Sequence, residues 1–137
     1  MSGKILIIDP NAHRRSALSK AIQNSSYSCI SANDIETADY SWVEGVLLST
    51  HAPDRLNTIR AQLHDAKCPI LILCPPNTVH DRADYFRAGA ADVVEATCDL
   101  REILSRLRSA MRRATAAREV ALRAGTTRAL GLSLIHI

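Results

Sequence analysis

Three runs of apolar residues, Ile5-Leu6-Ile7-Ile8, Val46-Leu47-Leu48 and Ile70-Leu71-Ile72-Leu73, lack the polar alternation of a half-exposed strand. Each predicts a parallel strand buried on both faces. The first spans Lys4 to Ile8 and is closed by the turn residues Asp9-Pro10-Asn11. The second, Glu44 to Ser49, ends in a small hydroxyl just before Thr50-His51-Ala52-Pro53, and the third, Pro69 to Cys74, is broken by Pro75-Pro76-Asn77. Two weaker runs, Tyr27 to Ser31 and Ala91 to Glu95, complete a set of five.

Between the strands the period changes from continuous to helical. Ala17, Leu18, Ala21 and Ile22 predict a helix from Ala12 to Asn24, with Arg14, Arg15 and Lys20 left to solvent. Asn33 or Asp34 can cap a brief helix through about Tyr40. Leu56, Ile59 and Leu63 point inward from a helix over about Pro53 to Asp65, with proline in its first turn. A fourth helix is expected from about Thr78 to Arg87, where Gly89 suits the left-handed position past the end. Asp99 caps the last helix, whose Leu100, Leu104, Leu107, Met111 and Ala114 recur at spacings of 4, 3, 4 and 3 before arginine and alanine take over. Gly125 is expected to weaken that extension.

Five βα units in strict alternation imply an α/β, doubly wound, five-stranded parallel sheet with an extended C-terminal helix. A length of 137 residues, 47% of them apolar, suits one such domain plus its extension. The absence of any apolar run near the roughly 20 residues of a membrane helix, and of a signal-like start, leads us to expect a cytoplasmic protein. The cysteines, Cys29, Cys68, Cys74 and Cys98, show no CxxC spacing, and disulfides are not expected. The net charge of +3 conceals an asymmetry: residues 1–98 carry −2 and the rest +5, from eight arginines against three acids. A solvated helix face explains that stripe more simply than nucleic-acid contact.

The order of these motifs resembles the receiver domain of bacterial response regulators, the CheY-like fold. The likeness covers residues 4 to about 114. It rests on Ile5-Leu6-Ile7-Ile8-Asp9, on Val46-Leu47-Leu48 with Ala52-Pro53 beyond, on Pro69 to Leu73, and most specifically on Ala88-Gly89-Ala90-Ala91-Asp92 followed by Asp99-Leu100. It implies a phosphorylation site at the carboxyl ends of the strands, where acidic residues hold Mg²⁺ and a hydroxyl and a lysine gather phosphoryl oxygens. Carried over by position, Asp9 keeps one acid, Pro10 replaces the second and Ser49 replaces the phosphoacceptor aspartate. Cys74 stands for the hydroxyl residue, Ala96 for the lysine, Thr97 for the proline after it and Val93 for the switch aromatic. The second and third helical segments look short for the family, and its Asp-Gly pair after Ala52-Pro53 is absent. A lone carboxylate and a neutral serine lead us to expect a domain without autophosphorylation, catalysis or a cofactor.

The resemblance also implies an interaction surface on the fourth helix, fifth strand and fifth helix, with Arg82, Tyr85, Val93, Arg101 and Arg108 as its residues. It would serve a protein partner or a second copy. His51, Cys74 and Cys98 fall near the Asp9 loop and could form a zinc set if the loops converge; the simpler expectation is that Cys74 fills apolar space. Asp9 could be a helix cap. Tyr40 and Trp42 suit packing, and no glycine-rich loop follows the first strand, which weighs against a dinucleotide enzyme.

The expected organisation is a receiver-like domain over 1–114, a connector helix over 115–131 and a terminal six residues, 132–137, that match the translation of a sequencing adapter. On that expectation a tethered output domain lies beyond Gly131. Leu107 through Leu130 resembles the connector after the first receiver of PleD-type proteins, which carry a second receiver and a GGDEF diguanylate cyclase. The alternatives are a nucleic-acid-binding output, of the ANTAR or helix-turn-helix type, and a phosphorylatable receiver with unconventional chemistry.

Overall fold

The computed structural model of the chain describes residues 4–35, 40, 43–63, 67–76 and 81–135, the side chains of 81 and 126–135 excepted. Five strands form among these residues: β1 (Lys4–Ile8), β2 (Ser28–Ala32), β3 (Gly45–Ser49), β4 (Ile70–Cys74) and β5 (Asp92–Glu95). Among the described residues four helices accompany them: α1 (Ala12–Gln23), α2 (Arg55–Arg60), α3 (Asp81–Arg87) and α4 (Leu100–Ile135). All strand pairs are parallel, in the order β2-β1-β3-β4-β5. The expected doubly wound α/β sheet is therefore the observed one.

The continuous apolar runs are explained by the pleat, which sends alternate residues to opposite faces. Leu6, Ile8, Val46, Leu48, Ile70 and Ile72 meet Leu56 and Ile59 of α2 and Tyr85 of α3 in one cluster. Ile5, Ile7, Leu47, Leu71 and Leu73 meet Leu18 and Ile22 of α1 and Ile103, Leu104 and Leu107 of α4 in the other. β2 lies at an edge and is only partly buried, which suits its mixed sequence.

Several boundaries differ from expectation. β2 begins one residue later than expected. α2 is six residues long, because the chain turns on either side of it at residues 53–54 and 61–62; the expected continuation over 64–65 lies outside the described residues. The start expected at Thr78 and most of the brief helix expected before Tyr40 lie outside them as well. Ile103 and Ala110 join the buried face of α4, and Gly125 does not interrupt that helix, which runs on to Ile135. Gly89 has φ of +106°, as expected for the residue that ends α3. A Cβ there would meet nothing nearer than Arg60 Nη2 at 3.9 Å, so Gly89→Ala should lose about 1–2 kcal/mol through backbone strain alone. Urea unfolding of the variant checks this. Among the described residues no helix is long and apolar enough to cross a membrane.

Candidate functional site at the carboxyl edge of the sheet

The strand order reverses between β1 and β3, which is where open α/β sheets place their chemistry. Ile8 is paired with Leu48, so the residues that follow, Asp9 and Ser49, stand side by side at the carboxyl edge. Asp9 is fully buried. Its Oδ1 accepts from the Asn11 backbone N–H at 2.9 Å and from Arg14 Nη2 at 2.8 Å, and its Oδ2 accepts from Arg14 Nε at 2.5 Å. The same Arg14 Nη2 donates to Ser49 Oγ at 3.1 Å, and Arg15 Nη1 donates to the Asp9 carbonyl at 2.7 Å.

Local structure explains how Arg14 arrives there. Asn11, three residues before Arg14, caps α1 by accepting from the Arg14 N–H at 2.9 Å, which puts Arg14 in the first turn of the helix. Helical side chains lean toward the N-terminus, and from the first turn of α1 that direction leads back to Asp9. The expectation that Arg14 and Arg15 face only solvent is thereby corrected. Asp9 itself is not the cap of α1; Asn11 holds that position.

The other side of the β3 end is held as well. Tyr85 reaches from α3 and donates its hydroxyl to the Thr50 carbonyl at 3.1 Å. Thr50 Oγ1 accepts from the Ala52 N–H at 3.0 Å and so shapes the following turn. Successive residues, Ser49 and Thr50, are thus tied to α1 on one face of the sheet and to α3 on the other. Beside them lies a cleft of 330 Å³ lined by Pro10, Asn33, Asp34, His51 and Arg55 among others. At its mouth Asp34 accepts from Arg55 and from the Ile35 N–H, and these, the backbone N–H first, hold its exposed carboxyl below the usual range.

The remaining predicted site residues are dispersed. Cys74 is buried in the α2/α3 cluster, while Ala96 and Cys98 pack against the α1/α4 cluster. Cys74 and Cys98 lie on opposite faces and do not converge with His51 and Asp9, so the condition for a zinc set is not met, and Cys74 fills apolar space as the simpler expectation had it. Among the described residues no group of three or more such side chains is placed to hold a metal. A divalent cation fits poorly: Pro10 offers no side-chain ligand, Ser49 offers no carboxylate, and all three oxygens of Asp9 already accept hydrogen bonds.

The expected interaction surface needs two corrections. Tyr85 has no exposed surface and Val93 only 2%, because α3 turns its tyrosine onto β3 and the strand faces its valine into the core. Arg82, Arg101 and Arg108 are exposed, and so is Phe86 at 49%. Val93 nevertheless borders a cleft along β5 with Arg82 and Arg106. Glu102, then Asp92, hold the Arg106 guanidinium more firmly protonated.

This geometry has relatives. The solved structure of NtrX from Brucella abortus, in complex with ADP, superposes with a TM-score of 0.78 at 18% identity over 88% of this chain and 30% of that one. A response regulator receiver protein from Pseudomonas putida gives 0.69 at 21% identity, over 80% and 98% of the two chains. Chemotaxis protein CheY4 of Vibrio cholerae gives 0.70 at 18% identity, over 80% and 99%. The chain folds as a response-regulator receiver domain.

In sequence the chain is 29% identical over 117 residues to the transcriptional regulatory protein PhoP of Escherichia coli K12 and 27% identical to the virulence transcriptional regulatory protein PhoP of Salmonella typhimurium LT2. The match takes in 80% of the chain but 52% of either PhoP, so the chain spans about half the length of these relatives. No protein-family model matches it. Arg14 was open to discovery from sequence only through its spacing from Asp9, since a charged residue in the first turn of a helix otherwise suggests solvent.

Proposed function

We propose that this chain is the receiver-like regulatory module of a two-component response regulator, that its phosphoacceptor is lost, and that it acts by protein–protein contact. The observation that carries the reading is the combination of a receiver-like fold with Ser49 at the end of β3, where the family's chemistry needs a carboxylate. Serine without an adjacent base is a weak nucleophile. Pro10, Cys74 and Ala96 supply neither the second acid, nor the hydroxyl, nor the ammonium that would compensate incoming phosphoryl charge.

Contact would use the face of α3, β5 and α4, through the exposed Arg82, Phe86, Arg101 and Arg108, toward a partner or a second copy. The tethered output is either a second receiver with a GGDEF diguanylate cyclase, on the strength of the connector pattern, or a nucleic-acid-binding domain. The second reading is favoured by the PhoP relatives, which are transcriptional regulatory proteins. Sequencing the source locus past the codon for Gly131 separates the two.

Incubation with acetyl phosphate and Mg²⁺ tests the central claim. The expected outcome is an unchanged intact mass; phosphate on any side chain would refute it.

A further inference from the structure

We propose that Arg14 is a built-in cation occupying the place where a receiver would hold a divalent metal, so that the carboxyl edge of the sheet is closed to Mg²⁺. The inference rests on the reading of this edge as unphosphorylated, and it deepens that reading by naming the group that seals the site. Three observations converge. The guanidinium takes both carboxylate oxygens of Asp9, through Nε at 2.5 Å and Nη2 at 2.8 Å, in the fork geometry that favours arginine over lysine. Its Nη2 also reaches Ser49 Oγ at 3.1 Å, so that one positive group spans the ends of β1 and β3. Arg15 meanwhile takes the Asp9 carbonyl, the remaining oxygen of that residue.

The electrostatic logic is direct. A buried carboxylate needs a positive partner, and the substitution of Pro10 removes the second acid that would have helped attract a doubly charged ion. A singly charged guanidinium matches the one remaining carboxylate, and being covalently tethered it competes with Mg²⁺ at high effective concentration. The ion, which dehydrates reluctantly and demands near-octahedral oxygen ligands, would have to displace the guanidinium from both carboxylate oxygens of Asp9. With Tyr85 donating to Thr50 from the opposite face, the end of β3 is held from both sides of the sheet.

Paramagnetic Mn²⁺, as a probe for the Mg²⁺ position, tests the idea on the ¹⁵N-labelled 137-residue chain. In the wild type the amide signals of Asn11, Arg14, Ser49 and Thr50 should keep their intensity at millimolar Mn²⁺. In Arg14→Met, which retains the aliphatic bulk and loses the charge, those signals should broaden and recover on competition with Mg²⁺. Arg14→Met combined with Asp9→Asn should be blind to Mn²⁺ again. Should Arg14→Met not fold, Arg14→Lys carries the test, since an ammonium cannot fork both oxygens and should admit the ion partially. Selective broadening at these residues in the wild type overturns the proposal, and so does a folded Arg14 variant as blind as the wild type. Either result leaves the phosphodonor assay unaffected, whereas a covalent phosphate would sink the functional reading and leave the Mn²⁺ result to be judged by itself.

Discussion

Asp9→Ala is expected to destabilise the domain by about 2–4 kcal/mol, the largest loss for any single polar side chain at the sheet edge. Its carboxylate is fully buried and accepts from one backbone N–H and from two nitrogens of Arg14. Removing it strands the Asn11 N–H and leaves a guanidinium without its counter-charge. The Arg14 side chain keeps 26% of its surface exposed and can turn toward water, which places the loss below that of a fully enclosed pair. Asp9→Asn should lose nearly as much, because an amide keeps the shape but presents N–H groups to a guanidinium. Arg14→Ala leaves the carboxylate partly unpaired and should also destabilise. The double variant Asp9→Ala/Arg14→Ala should lose less than the sum of the two, and urea unfolding of all four proteins measures that coupling. Strict additivity would mean that the pair contributes nothing.

Tyr85→Ala should lose about 3–5 kcal/mol, as removal of a fully buried aromatic side chain does. The ring packs in the cluster with Leu56, Ile59 and Val93, and its hydroxyl holds the Thr50 carbonyl. Tyr85→Phe separates the two contributions: it keeps the packing and should lose about 1 kcal/mol for the hydrogen bond. The neighbouring Phe86→Ala and Arg82→Ala lie on the exposed side of α3 and should stay within about 0.5 kcal/mol of the wild type. Thermal unfolding of the four variants decides whether Tyr85 belongs to the core or to a docking surface. A near-neutral Tyr85→Ala would return it to the surface. If the contact reading is right, Phe86→Ala and Arg82→Ala should instead weaken partner binding while leaving the fold intact.

These two residues show where sequence reasoning stops. Adjacent aromatics in a seven-residue helix do not reveal which of them faces the sheet, because a rotation of about 100° about the helix axis exchanges the two. The rotation of α3 is settled by how its side chains fill the space over β3 and β4. Arg14 poses the same difficulty in charged form. Its partner Ser49 is 35 residues away, and the two meet only because Ile8 and Leu48 share a register.

What the sequence determined by itself is whatever depends on neighbours along the chain. Continuous apolar runs imply strands covered on both faces, and the strict βα alternation implies a parallel doubly wound sheet. The glycine at 89 implies its left-handed turn. The same local information placed Asp9, Ser49, Cys74 and Ala96 at strand ends, and hence at one edge. Tertiary structure alone decided what those positions do to each other. It sent Cys74 and Cys98 to opposite faces, drew Tyr85 and Val93 inward and brought Arg14 onto Ser49. The reason is physical: periodicity specifies which side of an element is apolar, whereas contacts such as Arg14 with Ser49 and Tyr85 with Thr50 depend on packing between elements distant in sequence.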